Sequence, residues 1–144
     1  MKKENTIKLF LVDDDAIFLK LLEIEFIQHG DFIIETYPTG ELCVANLANG
    51  PDIIILDYRL DGIDKFAING IDTLDQIKEF NPDIPVIMLS SQDKIDVAID
   101  CMHHKAYDYV VKSETAFHRL QKIITNIMKF QKLEKELNWY MDRM

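Results

Sequence analysis

Four short apolar runs in this chain each hand over to residues that can do chemistry. Leu9-Phe10-Leu11-Val12 leads into Asp13-Asp14-Asp15, and Ile53-Ile54-Ile55-Leu56 leads into Asp57. Val86-Ile87-Met88-Leu89 leads into Ser90-Ser91, and Tyr109-Val110-Val111 into Lys112. Runs of this length without a polar member read as parallel strands buried on both faces. In open α/β sheets, ligands bind beyond the carboxyl ends of such strands. Carboxylates, a hydroxyl and an ammonium should therefore converge on one rim. Such a rim could hold a divalent cation and a phosphoryl group.

The elements that must position these residues alternate regularly. Strands are expected at about 7–12, 32–36, 53–57, 85–90 and 107–111. Helices are expected at about 16–29, 40–48, 71–80 and 94–104, with a last one starting near Ser113. Asp15 and Thr39 stand where N-caps belong, Gly30 ends the first helix, and Asn81-Pro82 stops the third. Ile17, Leu21, Leu22, Ile24 and Phe26 are apolar positions of the first helix. A βα unit repeated five times implies a parallel sheet with helices on both faces. The connection after Asp57, from Tyr58 to Asn69, is unusually long for a βα loop.

The final helical pattern runs on to Met144. Leu120, Ile123, Ile127, Phe130, Leu137, Met141 and Met144 recur at three- and four-residue steps, interrupted by Glu134. Its first turns must pack on the sheet. Beyond about residue 130 the domain should be complete, so Leu133, Leu137, Trp139 and Tyr140 need another partner. Three readings stay open: a helix folded back on its own domain, a helical dimer contact, or the start of a linker to an output domain.

Bulk composition narrows the partners. The 144 residues suffice for one domain with a proper core, at a net charge of −9. Residues 1–113 hold 10 Lys/Arg against 21 Asp/Glu, whereas residues 114–144 hold 6 against 4. An acidic body argues against direct nucleic-acid binding, which needs clustered cations. Cys43 and Cys101 lack metal or redox spacing and read as buried thiols in a reducing compartment. No signal peptide or membrane span is expected, and the location expected is the cytoplasm.

Taken together, LFLVDDD at 9–15, IIILDYRL at 53–60, VIMLSS at 86–91 and AYDYVVKS at 106–113 resemble the receiver domains of bacterial response regulators. The resemblance covers nearly all of residues 7–126. It implies a flavodoxin-like (CheY-like) doubly wound five-stranded parallel sheet of order 2-1-3-4-5, with an extended C-terminal helix. The receiver would occupy residues 1–128 and the helical extension 129–144. Asp57 would be the phosphoacceptor, supplied by a histidine kinase or a histidine phosphotransfer protein. Asp14, Asp57 and the backbone carbonyl of Arg59 would bind Mg2+, with Asp13 acting directly or through water. Lys112 would pair with Asp57 at rest and with the phosphoryl oxygens afterwards. Ser90 would hydrogen-bond the phosphoryl group, and Tyr109 would report the resulting movement. Ser91 would leave the acceptor accessible, and the Arg59 side chain would lie near the phosphoryl position. Asp15 reads as a cap rather than a ligand, and His29, His103, His104 and His118 as surface residues. The domain would catalyse only its own phosphorylation and dephosphorylation.

Departures from the family pattern bear on this reading. Ser113 follows Lys112 where proline is usual. Residues 61–68 form an insertion, so Asn69-Gly70 comes about five residues late. Lys105-Ala106 replaces the usual Gly-Ala. A phosphatase of the haloacid dehalogenase type would need a second aspartate where Arg59 stands. The chain also lacks Gly-x-x-x-x-Gly-Lys and Gly-x-Gly-x-x-Gly phosphate loops. The competing expectation is a pseudo-receiver, a protein-binding module that is not phosphorylated.

Overall fold

The computed structural model, which describes residues 5–60 and 68–144, has five strands: β1 (Ile7–Val12), β2 (Phe32–Tyr37), β3 (Ile53–Asp57), β4 (Val86–Ser90) and β5 (Asp108–Val111). Every residue of β3 and β4 is buried. All four pairings are parallel, in the order β2-β1-β3-β4-β5. Alternate side chains serve two cores. Leu9, Leu11, Ile53, Ile55, Ile87 and Leu89 pack against α1 (Ala16–His29) and α5 (Ala116–Asp142). Phe10, Val12, Ile54, Leu56, Val86 and Met88 pack toward α2 (Gly40–Ala45), α3 (Gly70–Phe80) and α4 (Ile95–His103). Among the described residues, no helix is long and apolar enough to cross a membrane.

The expected caps are in place. Asp15 Oδ1 accepts from the N–H groups of Ile17 and Phe18, and Thr39 Oγ1 accepts from Leu42. Gly30 does end α1, but through an extended backbone rather than a left-handed turn. A Cβ there would sit 2.4 Å from the ring of Phe32, which would have to swing aside. The helix expected over 40–48 stops at Ala45 and resumes as a short 3-10 turn, Leu47–Asn49. The Asn46 side chain donates to the Leu42 carbonyl and the chain redirects there, burying Leu47. Of the five apolar positions named in α1, only Leu22 and Phe26 reach the core, joined by Leu19. Ile17, Leu21 and Ile24 are exposed.

Lys105 is the one described non-glycine residue with positive φ, at 73°. It occupies the position where the family pattern has glycine. A side chain in the left-handed region costs about 1 kcal/mol. Lys105→Gly is therefore expected to stabilise the fold by about that amount, seen as a higher urea midpoint at unchanged slope. A lower midpoint would mean that contacts of the lysine outweigh the backbone strain.

α5 is continuous over 27 residues. Ala116, Leu120, Ile124 and Ile127 are buried against the sheet, with Ile123 only partly so. Beyond Met128, Phe130 and Glu134 still line a groove beside Pro82 and Tyr107, but the apolar side chains Phe130, Leu137 and Tyr140 are 67%, 59% and 64% exposed.

Candidate functional site

Strand register brings the chemistry-bearing residues together. Val12 pairs with Leu56, which sets Asp13 beside Asp57 at adjacent strand ends. Asp57 pairs with Leu89 and Ser90 with Val111, so Lys112 emerges one residue past the β4–β5 pairing. Backbone bonds continue the pairing into the rim: Asp13 donates to the Tyr37 carbonyl at 3.1 Å, Tyr58 to Leu89 at 2.8 Å and Lys112 to Ser90 at 2.8 Å.

Each carboxylate of Asp13, Asp14 and Asp57 offers an oxygen within 4.8 Å of the others. Asp13 and Asp57 are buried, Asp57 at 5% exposure, and Asp14 is half-buried. Lys112 Nζ reaches 2.8 Å from Asp13 Oδ2 and 3.4 Å from Asp57 Oδ2. The ammonium thus meets both acids, with the shorter approach to Asp13. It also lies 4.6 Å from the centre of the Phe18 ring, on the exposed end of α1. Asp13 Oδ1 accepts from the Asp15 N–H at 2.9 Å. Asp13 Oδ2 is buried and has no directed hydrogen bond, only the ion pair. The Arg59 N–H approaches Asp57 Oδ1 at a long 3.5 Å.

Burial, followed by the Asp13 charge, pushes the Asp57 carboxyl up to about 7, against the opposing pull of Lys112. Burial works against the Lys112 ammonium too, but its contacts with Asp13 and Asp57 prevail and hold it above the ordinary lysine range. Three acids facing one ammonium leave a surplus of negative charge in a poorly solvated place. The buried oxygen of Asp13 and the all-oxygen donor set suit a hard divalent cation.

The hydroxyl side of the rim is wired through a residue that sequence reasoning missed. Ser90 Oγ, buried, accepts from the Gln92 N–H at 3.0 Å. The Tyr109 hydroxyl donates to the Gln92 carbonyl. Gln92 takes part through its backbone, so its side chain carried no signal. Phe18 was findable as the third residue past the Asp15 cap, where the first helical turn overhangs the rim. Ser91 and the Arg59 side chain are exposed.

The altered positions resolve in part. All described peptide bonds are trans, including Lys112–Ser113, and Lys112 still reaches the acids. Ser113 Oγ lies 3.2 Å from Thr115 Oγ1. Residues 61–67 of the insertion lie outside the described residues. At its far end Asn69 Oδ1 caps α3, accepting from Asp72, and the Gly70 N–H donates to the Tyr58 carbonyl at 3.1 Å. His29, His103 and His118 are exposed. His104 is partly covered, with Nδ1 2.7 Å from Asp75.

The chain matches the response regulator receiver domain over residues 9–125. It is 30% identical over 130 residues to the regulatory protein LuxO of Vibrio cholerae, covering 89% of this chain and 27% of LuxO. It therefore spans roughly a quarter of that relative's length. NtrX from Brucella abortus superposes with a TM-score of 0.80 at 25% identity, over 92% of this chain and 30% of that one. CheY of Borrelia burgdorferi, solved in a complex with CheX, BeF3 and Mg2+, superposes with a TM-score of 0.73 at 28% identity, over 84% and 89% of the two chains.

Proposed function

The chain belongs to the response regulator receiver domain family, a family of two-component signalling, and from that membership we propose that Asp57 is its phosphoacceptor. The observation that supports this best is the rim itself: a buried carboxylate at a strand end, two further acids within 4.8 Å, and an ammonium across from them. A carboxylate oxygen of Asp57 attacks the phosphorus of a phosphohistidine. The new O–P bond forms as the P–N bond breaks, and the histidine nitrogen leaves with the bonding pair. The donor is a histidine kinase or a histidine phosphotransfer protein.

Asp14, Asp57 and the Arg59 carbonyl would hold Mg2+, with Asp13 direct or through water. The bound cation would neutralise charge on the phosphoryl oxygens. Lys112 is within reach of the acceptor and supplies the second positive charge. Ser90 exchanges its bond from the Gln92 N–H for one donated to a phosphoryl oxygen. That exchange releases the Gln92 peptide, which also carries the Tyr109 hydroxyl. The loop between β4 and α4 then moves inward, and the α4-β5-α5 face changes with it. The receiver occupies residues 1–128, and 129–144 form a helical extension through which two copies pair.

The test is intact mass after incubation with acetyl phosphate and Mg2+. Wild type should gain one phosphoryl group, and Asp57→Asn none. Absence of an adduct on wild type, with Mg2+ demonstrably bound, would support the pseudo-receiver reading instead.

A further inference from the structure

Three groups surround the Lys112 ammonium: Asp13 Oδ2 at 2.8 Å, Asp57 Oδ2 at 3.4 Å, and the face of the Phe18 ring, whose centre is 4.6 Å away. An ammonium within about 6 Å of an aromatic centroid is attracted by the negative face of the ring, more strongly where water is scarce. Lys112 sits in such a place, with 18% of its side chain exposed. The ring is itself held. Phe18 packs against the core shared by the sheet, α1 and α5, and its N–H donates to Asp15 Oδ1 at 3.1 Å. The Asp15 N–H in turn donates to Asp13 Oδ1 at 2.9 Å. The contacts close on themselves: Asp13 to Asp15, Asp15 to Phe18, Phe18 to Lys112, and Lys112 back to Asp13.

The partners of the ammonium differ in what they can do while a phosphoryl group arrives. Lys112 rests nearer Asp13 than Asp57. To serve a phosphoryl group on Asp57 it must loosen from Asp13 and move across. A carboxylate holds an ammonium through short charged bonds and competes with phosphoryl oxygens for it. A ring face is uncharged and attracts over a broad area, so it neither competes nor fixes one geometry. Without it, the long flexible stem of the lysine would regain its freedom once Asp13 let go. We infer that Phe18 is a positioning residue for phosphoryl transfer, keeping the Lys112 ammonium at the rim while it exchanges Asp13 for the phosphoryl oxygens. The inference rests on Asp57 being the phosphoacceptor, and Phe18 acts only through Lys112.

The test follows adduct formation over time with acetyl phosphate and Mg2+. The Asp57 oxygen takes the phosphoryl group and acetate leaves with the bonding pair, so no docking protein enters the rate. Phe18→Leu and Phe18→Met keep an apolar side chain but lose the ring, and should slow uptake about five-fold. Phe18→Tyr keeps the ring and should run within about two-fold of wild type. The Mg2+ concentration that half-saturates thermal stabilisation should be the same in all four proteins, whose three acids are intact. In a Lys112→Met background, Phe18→Leu should slow uptake no further, because no ammonium remains to be held. A second readout needs no phosphoryl group. Without divalent cations, Phe18→Leu should lower the melting temperature more in the wild type than in Lys112→Met. Equal losses in the two backgrounds, or a Phe18→Tyr as slow as Phe18→Leu, would reduce the ring to packing and overturn the inference. Wild-type rates in both Phe18→Leu and Phe18→Met would overturn it as well, while leaving the acceptor reading intact. No adduct on wild type would instead be a failure of the acceptor reading itself.

Discussion

Without divalent cations, Asp57→Asn should melt well above wild type at pH 8, by roughly 8 °C for a gain on the order of 3 kcal/mol. The Asp57 carboxyl is 5% exposed, with Asp13 beside it. Burial and that neighbouring charge raise it from its ordinary 3.8 to about 7. A raised carboxyl pKa means that the folded state holds its proton more tightly than the unfolded chain. Wild-type stability should therefore fall as pH rises from about 4 to about 7 through this group, and be fully depressed above that. Asparagine is nearly isosteric and uncharged, and it leaves Lys112 its shorter contact with Asp13 at 2.8 Å. The difference between the two proteins should shrink toward pH 4. Mg2+ should narrow it at pH 8 by stabilising the wild type preferentially. Equal melting at pH 8, or a less stable variant, would mean that the rim is not charge-strained, and the case for a cation there would lose its physical basis.

The legible parts of this molecule are those written in side chains with one dominant role. The four apolar runs predicted β1, β3, β4 and β5 to within a residue or two, because strands covered by helices on both faces of a sheet are mostly apolar. Asp15 and Thr39 announced helix starts because a short oxygen-bearing side chain before an apolar period satisfies backbone N–H groups. The convergence of Asp13, Asp14, Asp57, Ser90 and Lys112 followed from parallel topology alone. What stayed hidden is carried by backbone groups or by tertiary choice. Gln92 links Ser90 to Tyr109 through its peptide, and every residue has a peptide. The break between Ala45 and Leu47 depends on Leu47 finding the core. The face α5 turns to the sheet decides which exposed apolar residues form one stripe. A single periodic series drawn through Ile127 and Met141 joined positions that the fold separates.

Gly70→Ala should destabilise the protein on the order of 3 kcal/mol, although the substitution adds only a methyl group. The glycine is the first residue of α3, where an alanine would ordinarily be tolerated or favoured. Here its backbone lies against the end of β3. A Cβ would stand 2.4 Å from the Asp57 carbonyl oxygen and 2.7 Å from both the Cα and the carbonyl oxygen of Tyr58. All three are main-chain atoms of the segment that carries the acceptor, so no rotamer change relieves the contact. α3 must back away, stretching the 3.1 Å bond from the Gly70 N–H to Tyr58 and loosening Leu74 and Ile77 in the core. Alternatively β3 must shift, displacing Asp57 from Asp13 and Lys112. Either response should slow phosphoryl uptake from acetyl phosphate as well as lower the urea midpoint. Gly50→Ala provides the control. Gly50 has a left-handed φ of 75° but nothing within 4 Å of its added Cβ. Its substitution should cost about 1 kcal/mol of backbone strain and leave the uptake rate unchanged. If Gly70→Ala matched Gly50→Ala in both measurements, close approach of α3 to the acceptor strand would not be what holds this end of the site in place.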